Sequence, residues 1–173
     1  MEKHAVISEC GLYRYLLTRR WSDGPALAFL MLNPSTADAS IDDATIRKCI
    51  GFATRYGFNA IEVVNLFAFR ATKPKDMFAA VDPVGPANDE HIRETVRAAG
   101  NIVCAWGPNA SKTRRPRQVI AMLGQMGVSL KCLHVTQDGS PGHPLMLSYD
   151  RPLLAFGSSE VVSNHQEMSG EKN

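Results

Sequence analysis

The stretch Pro25-Ala26-Leu27-Ala28-Phe29-Leu30-Met31-Leu32-Asn33-Pro34 decides the fold. Its seven consecutive apolar residues are far fewer than the roughly 18 that a membrane-spanning helix needs, and proline-containing breakers close both ends. A strand with one wet face alternates apolar and polar side chains. An unbroken apolar run of this length reads instead as a strand buried on both faces, as in the interior of a parallel sheet.

Downstream the chain alternates helix and strand. Ile46, Cys49, Ile50 and Ala53 have helical spacing within residues 43–56, with Asp42 or Asp43 placed as an N-cap and Gly57 as a stop. Residues 60–66 form a second strand rich in β-branched side chains. A loop with Pro74, Pro83, Gly85 and Pro86 leads to a helix over 88–99, which Gly100 ends. A third strand is expected over 101–107, a helix over 116–126, and a fourth strand over 130–135, which includes His134 as a core or edge residue.

Upstream, residues 5–20 alternate loosely around Gly11 and read as an antiparallel hairpin at the sheet edge, with its arginines on the wet side. The expected architecture is an α/β fold: a three-layer α/β/α arrangement with a central, mostly parallel four-stranded sheet and an N-terminal antiparallel hairpin. One domain over 1–157 accounts for it, and the polar residues 158–173 are expected to be a disordered tail.

In open sheets of this kind ligands bind beyond the carboxyl ends of the strands. That rule selects Asn33-Pro34-Ser35, Asn65, Gly107 and the segment around His143. Neither a G-x-x-x-x-G-K-[ST] loop nor a G-x-G-x-x-G turn is present, so neither familiar phosphate cradle is supported. There is no G-x-S-x-G elbow either.

Composition sets the remaining bounds. The chain has 173 residues, 45% hydrophobic and 21% charged, with a net charge of +2, which is too small to argue for nucleic acid by itself. Lys112, Arg114, Arg115 and Arg117 nevertheless fall within six residues. Such a cluster suits a nucleic-acid backbone or a nucleotide phosphate, though charge runs also serve as solvated loops. Cys10, Cys49, Cys104 and Cys132 are widely spaced and lack zinc-site spacing; Cys104 and Cys132 read as small buried hydrophobes in a reducing compartment. No apolar segment near the N-terminus has signal-peptide form, and a cytoplasmic protein without membrane contact is expected.

Several long motifs resemble a known family. They are Leu32-Asn33-Pro34-Ser35-Thr36-Ala37-Asp38, Asp42-Asp43-x-Thr45-Ile46-Arg47-x-Cys49, Val64-Asn65-Leu66-Phe67-Ala68-x-Arg70-Ala71-Thr72-x-Pro74-x-Asp76, Asp82-Pro83-x-Gly85-Pro86-x-Asn88-Asp89, Ala105-Trp106-Gly107 and Gly142-His143-Pro144-Leu145. Together they resemble the bacterial and phage domain-of-unknown-function family sixteen forty-three, from about residue 5 to residue 150. That family implies no chemistry.

A more distant resemblance does. Uracil-DNA glycosylases and their relatives are similar in the order of four features: an Asp- or Asn-Pro loop after the first strand, an Asn ending the second, a Gly ending the third, and a His-Pro loop after the fourth. Asn33-Pro34, Asn65, Gly107 and His143-Pro144 stand at the corresponding positions. The resemblance implies a glycosylase-like fold and hydrolysis of an N-glycosidic bond of a base in DNA or of a nucleoside-like ligand, with no metal or organic cofactor. Asn33 would position water and His143 would stabilise the leaving base. Asn65 would read a base edge, since its amide both donates and accepts. Pro34, Ser35, Arg70 and Gly107 would contact substrate, Phe67 or Trp106 would stack on the base, and Lys112, Arg114 and Arg115 would hold phosphates.

The departures are as informative. Asn33 cannot act as a general base, Met31 and Leu32 replace an expected glycine, and Leu145 replaces an expected serine. A non-catalytic nucleotide or nucleic-acid binding module of the same fold is therefore the alternative. Residue by residue, duller roles stand beside these: a tight turn for Asn33, a structural hydrogen bond for Asn65, a surface ion pair for Arg70, core packing for Trp106. A third reading is a metal-dependent phosphoesterase using Asp38, Asp42 and Asp43 as oxygen ligands, against cap and turn chemistry for the same aspartates.

Overall fold

Strand β3 (Ala26–Met31) is buried along its whole length and has a parallel neighbour on each side, β4 (Ala60–Asn65) and β5 (Ile102–Cys104). The structure is a computed structural model that describes residues 1–36 and 40–157. A third parallel pairing joins β5 to β6 (Leu130–Cys132). Antiparallel strands extend both flanks: β2 (Arg14–Arg20) beside β4, β1 (Glu2–Ile7) beside β2, and β7 (Leu154–Ala155) beside β6. The sheet thus has seven strands in the order β1-β2-β4-β3-β5-β6-β7.

Alternate residues of β3 feed two separate apolar clusters. Leu27, Phe29 and Met31 pack with Ile46, Cys49, Phe52 and Ala53 of helix α1 (Ala44–Arg55). Ala28 and Leu30 join Ile92 and Val96 of α3 (Asn88–Ala99) and Val119 and Leu123 of α4 (Arg115–Gln125). Each large apolar side chain taken fully out of water here contributes about 1.5–3 kcal/mol before chain entropy is counted. Helix α1 starts where the Asp43 carboxylate accepts the Ile46 N–H at 2.8 Å, and α3 stops where Gly100 takes φ 69°, a conformation that favours glycine.

Four expectations are corrected. The sheet has seven strands against the expected four and a two-stranded hairpin, and three of its six pairings are antiparallel, so "mostly parallel" does not describe it. The antiparallel hairpin does lie at the sheet edge, with β1 outermost and β2 between β1 and β4, but two of its arginines are not on a wet side. Both are buried, Arg14 at 7% and Arg19 at 0% exposure. An unpaired interior charge is costly, and the Arg19 Nε donates to Asp42 at 2.6 Å, with Lys3 on the same carboxylate at 2.9 Å.

The third correction is a short helix, α2 (Pro74–Phe78), inside the proline-rich loop. The fourth is that the third and fourth predicted strands are cut to three residues each, which leaves His134 after β6, half-buried against Gly142. Cys49, Cys104 and Cys132 are buried thiols, and Cys10 is exposed. No helix among the described residues is long and apolar enough to cross a membrane. The segment 158–173, read from the sequence as a tail, lies outside the described residues.

Candidate functional site

The three central parallel strands end side by side, with Met31 opposite Asn65 and Leu30 opposite Cys104. The segments just past these strands are pinned by main-chain and side-chain bonds. The Asn33 amide donates to the carbonyls of Pro34 (3.0 Å) and Ala71 (2.9 Å), and the Ala71 N–H returns to Pro34 O. Beyond β5 the chain runs to Gly107, whose φ of 72° and ψ of −172° only glycine adopts readily. Its N–H donates to Pro141 O at 2.9 Å, which ties this strand end to the loop carrying His143.

These ends enclose a cavity of about 320 Å³, near the lower bound for small-molecule pockets. Met31, Ile46, Val63 and Trp106 form its apolar wall. Its polar side chains include Arg14, Asn33, Asp43, Asn65, Asn109 and His143.

Asn65 is 2% exposed. Its carbonyl accepts from the Asn88 amide at 2.9 Å, and Asn88 also donates to Leu66 O, so the end of β4 is fixed by a side chain from the first turn of α3. The Asn65 side-chain amide itself has no hydrogen-bond partner among the described residues. Its polar atoms are not fully enclosed and open on the cavity, where water or a ligand completes them.

His143 caps a short 3-10 turn at Pro144–Met146: its Nδ1 accepts the Leu145 N–H at 3.2 Å. This bond places the neutral ring's proton on Nε2. Burial lowers the imidazole's pKa, and the charge of Asp43 opposes that shift only in part. The ring is thus a neutral donor. Asp43 uses Oδ1 to cap α1, which leaves Oδ2 for a water or ligand.

Six residues predicted from sequence line the cavity: Asn33, Ser35, Asn65, Trp106, Gly107 and His143. The others lie elsewhere. Pro34 is buried beneath the loop. Phe67 packs edge-on to Phe78 at 5.3 Å in the core, so of the two stacking candidates only Trp106 reaches the cavity, while its ring also meets Phe156 edge-on at 5.7 Å. Arg70 spans two loops, donating to Gly11 O at 3.0 Å and Thr36 O at 3.3 Å. Arg115 turns inward, with Nε on Leu66 O at 2.7 Å and Nη2 on Asp89 at 2.6 Å, while Lys112 and Arg114 are exposed away from the cavity.

Of the three aspartates weighed as metal ligands, Asp38 lies outside the described residues, Asp42 is held by Arg19 and Lys3, and Asp43 caps α1. Among the described residues no group of three or more His, Cys, Asp or Glu could hold a metal ion.

Sequence reasoning did not name Arg14 or Asn109 for the site, and it named Asp43 only as a helix cap or a metal ligand, not as part of the strand-end cavity. The strand-end rule contains the signal for Asp43, because a crossover helix starts at the carboxyl edge of the sheet. Arg14 obeys another rule: an antiparallel strand brings its beginning to that same edge.

Fold and site together define an α/β protein with a polar cavity at the carboxyl ends of its parallel strands. The chain belongs to the family described as Protein of unknown function (DUF1643), whose model matches residues 14–145. Every residue lining the cavity falls within that span. No curated protein and no solved structure matches the chain.

Proposed function

We propose that the cavity receives a nucleobase and that the protein hydrolyses its N-glycosidic bond, on a three-layer fold of the glycosylase type. The observation that carries this reading is Asn65: a buried amide, able to donate and accept on one base edge, left without a protein partner among the described residues at the cavity wall.

Bond breaking builds negative charge on the departing base and positive charge on the sugar. His143, neutral with its proton on Nε2, donates to the developing oxyanion without first losing a proton. Trp106 supplies an apolar wall for the ring. The attacking water is held by the Asn33 carbonyl oxygen. Asp43 supplies the carboxylate that Asn33 cannot, accepting the water's proton as the C–O bond forms. The base leaves with the bonding electron pair. The substrate is a base in DNA or a nucleoside-like ligand, and the setting proposed is cytoplasmic.

One observation favours the non-catalytic alternative. The Asn33 amide nitrogen is already spent on two loop carbonyls, as a structural asparagine's would be.

Base release from single- and double-stranded oligonucleotides and from free nucleosides carrying uracil, mismatched and modified bases tests the reading. Product that disappears in both Asn65→Ala and His143→Ala establishes the hydrolase. Saturable binding that Asn65→Ala weakens, without product from any member of the panel, establishes the binding module instead.

A further inference from the structure

Arg14 is a buried cation that no carboxylate among the described residues neutralises. It is 7% exposed, and its Nε is enclosed without a hydrogen bond. None of the ion pairs among the described residues includes it. The other two buried arginines are handled differently. Arg19 has Asp42, and Arg115 has both Asp89 and the Leu66 carbonyl. Arg14 instead lines the cavity beside Asn65.

Its electrostatic surroundings do not replace the missing partner. Arg70 and Arg19 both act on it as like charges, and among the described residues Asp43 is the one acid that opposes them. Asp43 lies beyond ion-pair range and also serves α1 as its cap. Burial pulls the guanidinium's pKa down to about 10, so it is still charged at neutral pH. A planar fork of N–H donors, desolvated and unpaired at a cavity wall, is matched by the two oxygens of a carboxylate or phosphate.

We propose that Arg14 is the receptor for an oxyanion carried by the cavity's ligand, either a carboxylate on the ring system or the phosphate of a nucleotide. The amide of Asn65 adds the directional contact that orients the group. The inference goes beyond the hydrolytic reading and does not depend on it: an anion that binds and is never cleaved upholds the one and defeats the other. It also moves anion recognition from the exposed Lys112, Arg114 and Arg117 to the cavity itself.

Calorimetric titration of the intact protein tests it with inorganic phosphate and two matched pairs: uracil against uracil-6-carboxylate, and uridine against uridine 5′-monophosphate. A single-stranded oligonucleotide is the further arm. The expected result is saturable phosphate binding, with the anionic member of one pair about tenfold or more tighter than its neutral partner. Whichever pair shows the preference identifies the source of the oxyanion, and an oligonucleotide that binds no better than the free nucleotide confirms a small-ligand site.

Arg14→Met abolishes the preference, Arg14→Lys keeps part of it, and Asp43→Asn strengthens it by removing the competing charge. The Lys112→Ala/Arg114→Ala double variant leaves it intact. Equal affinity within both pairs, or no phosphate binding even at tens of millimolar, overturns the proposal. So does an anion preference that survives in Arg14→Met or vanishes in the double variant. If Arg14→Met fails to fold, the pairs measured on the parent and on Arg14→Lys still decide.

Discussion

Leu145 donates its main-chain N–H to Nδ1 of His143 at 3.2 Å, and this bond alone decides which imidazole nitrogen carries the neutral ring's proton. Protonating Nδ1 would set two donors against each other, so the bond and burial both resist charging the ring. The imidazole resonance of His143 should titrate below the ordinary 6.5, with the Nε2–H tautomer in long-range nitrogen–proton spectra. The lowered value also sets the sign for stability. Well above 6.5 neither folded nor unfolded ring holds the extra proton, and this ring's contribution to stability is flat in pH. As pH falls from 6.5 towards the lower folded value, the unfolded chain takes up the proton first and stability drops. His143→Ala should remove that part of the acid-side slope in denaturant titrations; a slope unchanged by the substitution would show that His143 is not its source.

Asp43 has two separable duties, a cap for α1 and a carboxylate in the cavity. Asp43→Asn keeps an oxygen for the Ile46 N–H and should cost little stability, whereas Asp43→Ala should cost about 1 kcal/mol, the usual worth of a helix cap. Turnover should fall about a hundredfold or more in both, because neither retains a proton acceptor. Full activity in Asp43→Asn would remove Asp43 from the chemistry and leave it a cap.

Asn88 stakes the strand end that carries Asn65. Its amide reaches the carbonyls of both Asn65 and Leu66, and Leu66 O is shared with Arg115. Asn88→Ala leaves the buried Asn65 carbonyl without that donor, at about 1–3 kcal/mol, equivalent to a melting point lower by roughly 2–12 °C for a chain of this size. Asn88→Asp should do worse, because it sets a carboxylate against two carbonyls. Thermal unfolding of the two variants checks the order.

Gly51 makes room in α1 for Tyr149. A Cβ there would come within 2.5–2.6 Å of the tyrosine ring, which packs edge-on to Phe52 at 5.0 Å beneath the Lys48 ammonium at 4.0 Å from its centre. Alanine's helix propensity favours Gly51→Ala by about 1 kcal/mol, but overpacking costs about 1–3 kcal/mol and should win. The displaced Tyr149 comes just after the Pro144–Met146 turn that His143 caps, so ligand affinity should fall together with the melting point. A variant more stable than the parent would show that Tyr149 swings aside freely.

What could be read from the sequence depended on whether the deciding contact was local. The run at 26–32 could be read because burial on both faces leaves no alternation to misjudge. Asn33, Asn65, Gly107 and His143 came with it through the strand-end rule: Asn33 and Gly107 follow β3 and β5, Asn65 ends β4, and His143 lies on the loop beyond β6. Arg14 and Arg19 were misplaced because a charge in a strand looks like a solvent-facing one until its partner is known. Asp42 lies 23 residues from Arg19, and Arg14 has no ion-pair partner among the described residues.

The basic cluster failed in the opposite direction. Lys112, Arg114 and Arg115 are indistinguishable as charges, yet Arg115 opens α4 and its turn points it at Asp89 and Leu66. The short helix at 74–78 and the two-residue strand at 154–155 carry too few residues for any period to show.

The cavity takes its first residue from position 14 and its last from position 143. A ribosome delivers these in order, and the N-terminal strands can pair as soon as β4 emerges. The binding site, by contrast, does not exist until the His143 loop has been made and has closed on Gly107. Without that loop the cavity lined by the Arg14 guanidinium and the Asn65 amide lacks one wall, through which water would reach both. Their desolvation is deferred to the final closure, so the last step of maturation is the one at which an arriving ligand has most to contribute.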